Sequence, residues 1–361
     1  MKSVQGFNLD AEGNRTQLVE SGALGDLPPG PSDTFSYEYD GLSRLLEADA
    51  VLFGGGIRSE TFSYDAATNI QARTGPAATY TMDGANRVTS DGAQAFTWDG
   101  ADRLVQRGAD TFSYDPLSRL TAATVAGATT SYQYDGDGLL AIRTGSSGST
   151  NFVWDSSVAP APLLEAGSDR VVHGLGPLYL ARADGSTIRL VRDALGSVRA
   201  ELDDLGLVTK SFRYAAYGSI SDRFPSDATP TLLGFTGELA DSSGLTYLRA
   251  RWYDPVSGRF TSRDPFIGNV HRPASLNAYG YAAGRPSLLV DPLGLDPERS
   301  KLGIRDRGRL CGSRLDRQWH APDGVRQGRH CGHWSRTRRS RWRGGRLSGR
   351  RCNLSWTRGR G

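Results

Sequence analysis

The residues of this 361-residue chain best placed for chemistry are two aspartates that precede prolines. Asp264 lies in Arg263-Asp264-Pro265-Phe266-Ile267-Gly268, and Asp291 lies in Asp291-Pro292-Leu293-Gly294-Leu295. Asp-Pro alone specifies little more than a turn, and Asp115-Pro116, Asp254-Pro255 and Asp296-Pro297 contain it too. The pair at 264 and 291 stands out by place, because the composition of the chain changes just after Leu295. Other chemistries find less support. His173 and His271 are the only histidines before residue 296 and no G-x-S-x-G accompanies them, which argues against a Ser-His-Asp hydrolase. Gly54-Gly55-Gly56 lacks the Lys-Ser/Thr of a phosphate loop, and no aspartate cluster has the ligand spacing of a calcium loop. Neither a cofactor nor a metal is expected.

The elements that must position these aspartates are strands. Gly is abundant at 45 residues and the aliphatic content is modest, so the core has to come from many short strands separated by turns. One unit recurs before residue 188: an aromatic pair spaced i, i+2, then Asp, a polar or Gly-containing turn, and often Arg-Leu or Arg-Val. Examples are Tyr80 to Val88, Phe96 to Leu104 and Phe112 to Leu120, and the unit begins again at Tyr132 and Phe152. Successive aspartates Asp83, Asp99, Asp115, Asp135 and Asp155 are 16 to 20 residues apart, a length that fits one β-hairpin per unit. Residues i and i+2 of a strand share a face, so Phe112 and Tyr114 point one way and Ser113 the other. The Arg four residues after the Asp is expected to return across the turn and pair with it. Alternation of aromatic, aliphatic and arginine residues from Leu245 to Tyr253 predicts one strand, Asp254-Pro255 a turn, and Arg259 to Ser262 the next strand.

The blocks from Ile188 to Leu295, above all Gly234 to Phe260 (GFTGELADSSGLTYLRARWYDPVSGRF), resemble the RHS repeat-associated core domain. That family includes bacterial Rhs proteins, the C component of insecticidal toxin complexes and, more distantly, the teneurins. The upstream units resemble its YD repeats, so the resemblance covers roughly Phe7 to Leu295. It implies an all-β fold, a YD-repeat hairpin array wound into a spiralled β-sheet shell, with residues 1–187 as the repeat array and 188–295 as the core domain. It further implies an intramolecular aspartyl protease with Asp264 and Asp291 as catalytic carboxylates and Arg263 in support, cutting between Leu295 and Asp296. Two carboxylates suit this chemistry because like charges a few ångströms apart do not both ionise readily: one holds a proton and the other activates water. This chain departs from the family pattern in its first motif, DPxxG in place of DPxG, and in the 22-residue spacer Asn269 to Val290. The competing reading makes both Asp-Pro pairs turns and nothing more.

Residues 296–361 are a different kind of polypeptide, a variable and irregular basic tail. They hold 19 Lys and Arg against 5 Asp and Glu, while residues 1–295 hold 24 against 34. All three cysteines and four of the seven tryptophans lie there. By resemblance the tail occupies the place of a C-terminal cargo, often a toxin. Its own residues leave three readings: an out-of-frame translation rich in Arg, Gly, Trp, Cys and Ser, a disordered nucleic-acid-binding segment, or, with least support, a zinc site. Any nucleic-acid contact is expected through the tail alone. No run approaches the ~18 apolar residues of a spanning helix. The chain reads as the C-terminal piece of a longer protein, secreted or cell-surface by resemblance. Its expected partners are its own cargo and a secretion apparatus or cell-surface target. The rival function is a non-enzymatic adhesin or carbohydrate binder that uses aromatics exposed on the sheet.

Overall fold

The computed structural model describes residues 3–21, 33–52, 56–295 and 298–299. Asp296 and the expectations for the cysteines, tryptophans and nucleic-acid contacts of the tail lie outside them. Among the described residues the regular secondary structure is almost entirely antiparallel strand, joined by turns. A seven-stranded sheet runs from Ser3–Leu9 to Ala78–Thr79, and a fourteen-stranded sheet from Phe96–Trp98 to Ile220–Phe224. Sequence neighbours are sheet neighbours throughout, so each is a plain succession of hairpins. The strand Thr187–Arg192 lies inside the larger sheet and crosses the division expected between residues 187 and 188. No helix among the described residues is long and apolar enough to cross a membrane.

The repeat unit folds as its alternation dictates. Phe62, Phe96, Phe112, Tyr132 and Phe152 are buried, and their second aromatics Tyr64, Trp98, Tyr114, Tyr134 and Trp154 pack against the same core half-buried. The residues between them, Ser63, Thr97, Ser113, Gln133 and Val153, are exposed. Each buried aromatic contributes about 1.5–3 kcal/mol of burial free energy. The second position takes a polar-tipped ring for a structural reason, because its O–H or N–H reaches a carbonyl, of the preceding unit at Tyr64, Trp98, Tyr134 and Trp154 and of Thr261 in the case of Tyr114. Tyr64 donates to Leu45 O at 2.9 Å, Tyr134 to Leu120 O at 2.8 Å and Trp154 to Leu140 O at 2.7 Å.

The turns follow one pattern. Asp115 Oδ1 accepts from the Leu117 and Arg119 amides at 2.9 Å each, and Oδ2 accepts from Arg119 Nε at 2.7 Å. Arg44 with Asp40, Arg87 with Asp83 and Arg103 with Asp99 repeat the return pairing. The residue before each arginine is left-handed, with φ of 61° to 63° at Ser43, Asn86, Asp102 and Ser118. Past the turn, Arg103 and Arg119 stack over Tyr114 and Tyr134 of the following unit, 5.3 and 5.0 Å from the ring centroids. One extra residue enters the pairing at each turn, so Ser113 faces Ala122 but Tyr114 faces Leu120. Bulges of this kind add twist, and repeated twist bends a long sheet around on itself.

The array bends until its beginning meets its end. Tyr64 and Tyr217 share a 2.8 Å hydrogen bond, Arg199 reaches Glu20 at 3.3 Å, and Arg58 reaches Asp222 at 3.5 Å. Residues from about 228 to 295 fill the space enclosed. Their aromatic core includes Tyr247, Trp252, Tyr253, Phe260, Tyr279 and Tyr281, each at most 2% exposed. Polar contacts tie this plug to the wall: Arg107 to Asp254 at 2.8 Å, Tyr132 to Asp241 at 2.6 Å, and Arg259 to Asn69 at 3.0 Å.

Candidate active site

The plug's four-stranded sheet carries the site. Its middle is a tight hairpin, Thr246–Leu248 paired with Arg251–Asp254 in the register Thr246 to Tyr253, Tyr247 to Trp252 and Leu248 to Arg251. The single strand expected from Leu245 to Tyr253 is therefore two strands. Alternation continues unbroken through the two-residue turn, in which Arg249 adopts φ of 59°.

Arg251 opens the second strand and points inward, with a side chain 2% exposed. Its guanidinium meets both aspartates: Nη2 lies 2.6 Å from Asp264 Oδ2 and 3.9 Å from Asp291 Oδ2. The remaining nitrogens donate to backbone, Nη1 to Ala278 O at 2.8 Å and Nε to Gly294 O. The cation also stands over Phe260, 3.6 Å from the ring centroid. Burial pulls its pKa down to about 10 against the opposing pull of Asp264 and Asp291, so at neutral pH it remains a cation. The structure thus brings Asp264 and Asp291 to one cation although they stand 27 positions apart in sequence.

Each aspartate also shapes its own loop. Asp264 Oδ1 accepts from the Phe266 amide at 2.8 Å, and its backbone N–H donates to Ala278 O at 3.0 Å. Asp291 Oδ1 accepts from the Leu295 amide at 2.9 Å, and Gly294, with φ of 66°, donates to Asp291 O at 3.2 Å. This is the same turn that Asp115 makes in the array, down to the left-handed residue three places on. At the fourth place the Asp115 turn has arginine and the plug has Leu295, as the array turns at Asp135 and Asp203 have Leu139 and Leu207. Turn formation and the pairing of the aspartates are thus compatible at Asp291.

Solvent access differs between the two. Asp264, Arg251, Ser262 and Ala278 line a cavity of about 380 Å³ whose wall includes the exposed Leu117 and Ile267. Asp291 is 2% exposed and lies outside that lining.

Arg263 does not stand beside the pair. Its guanidinium turns outward to Asp102 Oδ2 at 3.0 Å, with the side chain 61% exposed. Adjacent strand-like residues point to opposite faces, so an inward Asp264 puts Arg263 on the outside. The cation at the pair is Arg251, which the sequence reading passed over as part of the strand pattern. The available signal was a charged residue on the inward face of an aromatic strand. Leu295 ends the described plug half-buried on its Asp291 turn.

Comparison with known proteins agrees with this architecture. The family model described as Teneurin YD-shell matches residues 27–287. The tRNA3(Ser)-specific nuclease WapA of Bacillus spizizenii is 30% identical over 186 residues, which is 48% of this chain and 8% of that protein. Toxin subunit YenC1 of Yersinia entomophaga is 32% identical over 106 residues, 28% of this chain and 10% of the subunit. A probable deoxyribonuclease RhsB of Dickeya dadantii is 48% identical over 64 residues, 18% of this chain and 4% of that protein. The chain thus spans a tenth or less of the length of these curated relatives. Among solved structures, that of TcdB2-TccC3-TEV superposes with a TM-score of 0.61 at 19% identity, covering 82% of this chain and 17% of the other. The Photorhabdus luminescens Tc holotoxin pore gives a TM-score of 0.63 at 19% identity with the same coverage, a likeness of fold alone. With 261 of its residues spanned by the family model and its hairpin array closed around a plug, the chain belongs to the Teneurin YD-shell family.

Proposed function

We propose that this chain is the closing part of a shell that carries a C-terminal cargo and releases it by cutting itself between Leu295 and Asp296. In this reading residues 1–187 contribute wall, 188–295 finish the wall and form the plug, and 296–361 occupy the cargo position. The division follows sequence blocks and not sheet boundaries. The observation that carries the proposal is Arg251, one buried cation within ion-pair reach of two carboxylates, one of which holds the Leu295 amide.

Asp264, in direct contact with Arg251 and open to the cavity, keeps its charge and takes a proton from water. The water oxygen adds to the Leu295 carbonyl carbon, and Asp291 supplies the proton that the Asp296 nitrogen takes as the C–N bond breaks. The products are a Leu295 carboxylate and a free amine at Asp296. Because the substrate is the chain itself, proximity is supplied without a binding step.

The test is intact-mass measurement on the purified chain. Wild type should appear as fragments 1–295 and 296–361, while Asp264→Asn and Asp291→Asn should stay whole because an amide neither shares the proton nor activates water. An uncut, folded wild type would refute the cleavage, and a cut surviving in both variants would assign it to an outside protease. The adhesin reading draws less support, since the paired aromatics of the repeats face the core.

A further inference from the structure

We infer that the hairpin tip Arg249-Ala250-Arg251 is the binding edge for the acyl side of the scissile bond, and that it selects the bond by reading backbone instead of side chains. The inference rests on the self-cleavage reading and adds to it what determines the register. Three consecutive carbonyls meet three consecutive residues of the tip: Pro292 O accepts from Arg249 Nη1 at 3.0 Å, Leu293 O from the Ala250 amide at 3.2 Å, and Gly294 O from Arg251 Nε. The Leu295 amide then bonds Asp291 Oδ1 at 2.9 Å. Four successive residues are thus each held by a main-chain group, which leaves no freedom to slide by one.

The tip is itself held rigidly. Arg249 donates from Nε and Nη2 to Ala161 O at 3.2 and 2.9 Å, and pairs with Glu238, both side chains being about nine-tenths buried. The close approach also imposes one side-chain requirement. A Cβ on Gly294 would lie 2.6 Å from Leu248 O and 3.2 Å from Arg251 N, both backbone atoms that cannot swing aside. Its φ of 66° disfavours other residues as well. Leu295, by contrast, is only half-buried, so its side chain has a minor part in recognition. Main-chain hydrogen bonds give an extended segment its affinity, while side-chain pockets, where present, give specificity. Here the pocket is the absence of one.

The experiment follows fragment masses and cleavage rates in the purified chain for wild type, Gly294→Ala, Leu295→Ala, Arg249→Ala and Arg249→Lys. Leu295→Ala should be cut at the same bond within about threefold of the wild-type rate, because only a partly buried side chain is trimmed. Gly294→Ala and Arg249→Ala should each slow the cut by about tenfold or more, the effect of losing a charged hydrogen bond or displacing the reacting carbonyl. Arg249→Lys, which keeps the charge beside Glu238, should recover part of the rate and so separate the clamp from a mere loss of folding. Loss of cleavage in Leu295→Ala, or wild-type rates in both Gly294→Ala and Arg249→Ala, overturns the inference. An uncut wild type overturns the cleavage itself, which is a different result.

Discussion

Replacing Arg251 by Met keeps most of the side-chain volume and removes a cation that Asp264 and Asp291 share. The pairing distances of 2.6 and 3.9 Å and the 2% exposure of the arginine place the broken interaction in the protein interior. Removing one partner of a buried pair costs about 3–5 kcal/mol, because the charge left behind has lost both water and its counterion. Here two carboxylates are left, along with the Gly294 and Ala278 carbonyls that Arg251 also served. The loss should therefore depend on pH in a definite direction. Without the cation, the folded variant holds the proton shared by its like charges to a higher pH than wild type does, while the unfolded chain has already lost it. A state that binds more protons gains as pH falls, so the variant's deficit is largest near pH 8 and shrinks toward pH 5. Urea unfolding followed by fluorescence, to which the buried Trp252 contributes, reads this directly. Adding Asp264→Asn to Arg251→Met should restore about 1–2 kcal/mol at pH 8, since one of the stranded charges is gone. An Arg251→Met deficit that is equal at pH 8 and pH 5, or a double variant no more stable than the single, would refute the reasoning.

Three further outcomes are expected. Burial pushes the Glu60 carboxyl up to about 7 despite Arg73, so the folded chain holds a proton between the ordinary carboxylate range and neutrality. Stability from this group is then present at low pH and lost as pH rises to about 7; Glu60→Gln should remove that slope and stabilise the chain at pH 8 by as much as roughly 3 kcal/mol, as read by urea midpoints at pH 5 and pH 8. Tyr134→Phe deletes an oxygen that donates to Leu120 O at 2.8 Å and accepts from Trp252 Nε1 at 2.9 Å, and should cost about 1–3 kcal/mol in the same assay because a buried N–H loses its partner. Ser118 sits at φ of 62°, so Ser118→Val should cost about 1–2 kcal/mol and Ser118→Gly little or nothing, a difference that thermal melting resolves.

What the sequence made legible was local. Aromatic alternation placed Phe112 and Tyr114 on one face, which the structure shows to be the inner one, and an Asp with an Arg four residues later announced the turn and its return pairing, as Asp115 and Arg119 show. The closing of the wall was not legible, because its contacts, such as Tyr64 with Tyr217, join residues 153 apart and leave no periodic trace. The hairpin at Arg249 was hidden for a related reason. Alternation of side chains survives a two-residue turn, so Leu245 to Tyr253 reads the same whether it is one strand or two. Arg263, which the resemblance put in support of the pair, turns away from it to Asp102, because neighbouring residues of an extended chain face apart.

The repeat turn explains how the site arises from the same materials as the wall. In the wall turns at Asp40, Asp83, Asp99 and Asp115 both oxygens of the aspartate are used locally: Oδ1 on the amides of the turn and Oδ2 on the arginine four residues on. Such a carboxylate is committed to its own hairpin. Asp291 keeps the first half of this arrangement, with Oδ1 on the Leu295 amide, but has leucine where the arginine would stand, and its Oδ2 faces Arg251 of another hairpin. Leucine at the fourth position is not enough for this, since Asp135 with Leu139 and Asp203 with Leu207 make the same amide contact in the wall; what differs at Asp291 is that Arg251 of another hairpin lies 3.9 Å from its Oδ2. The array supplies a rigid turn, and the plug supplies Arg251 and Asp264 from a strand and loop that the turn would not otherwise meet. Restoring the local partner with Leu295→Arg should draw Asp291 Oδ2 back toward its own hairpin, and the reactivity proposed for the pair would be lost while the turn itself stayed intact.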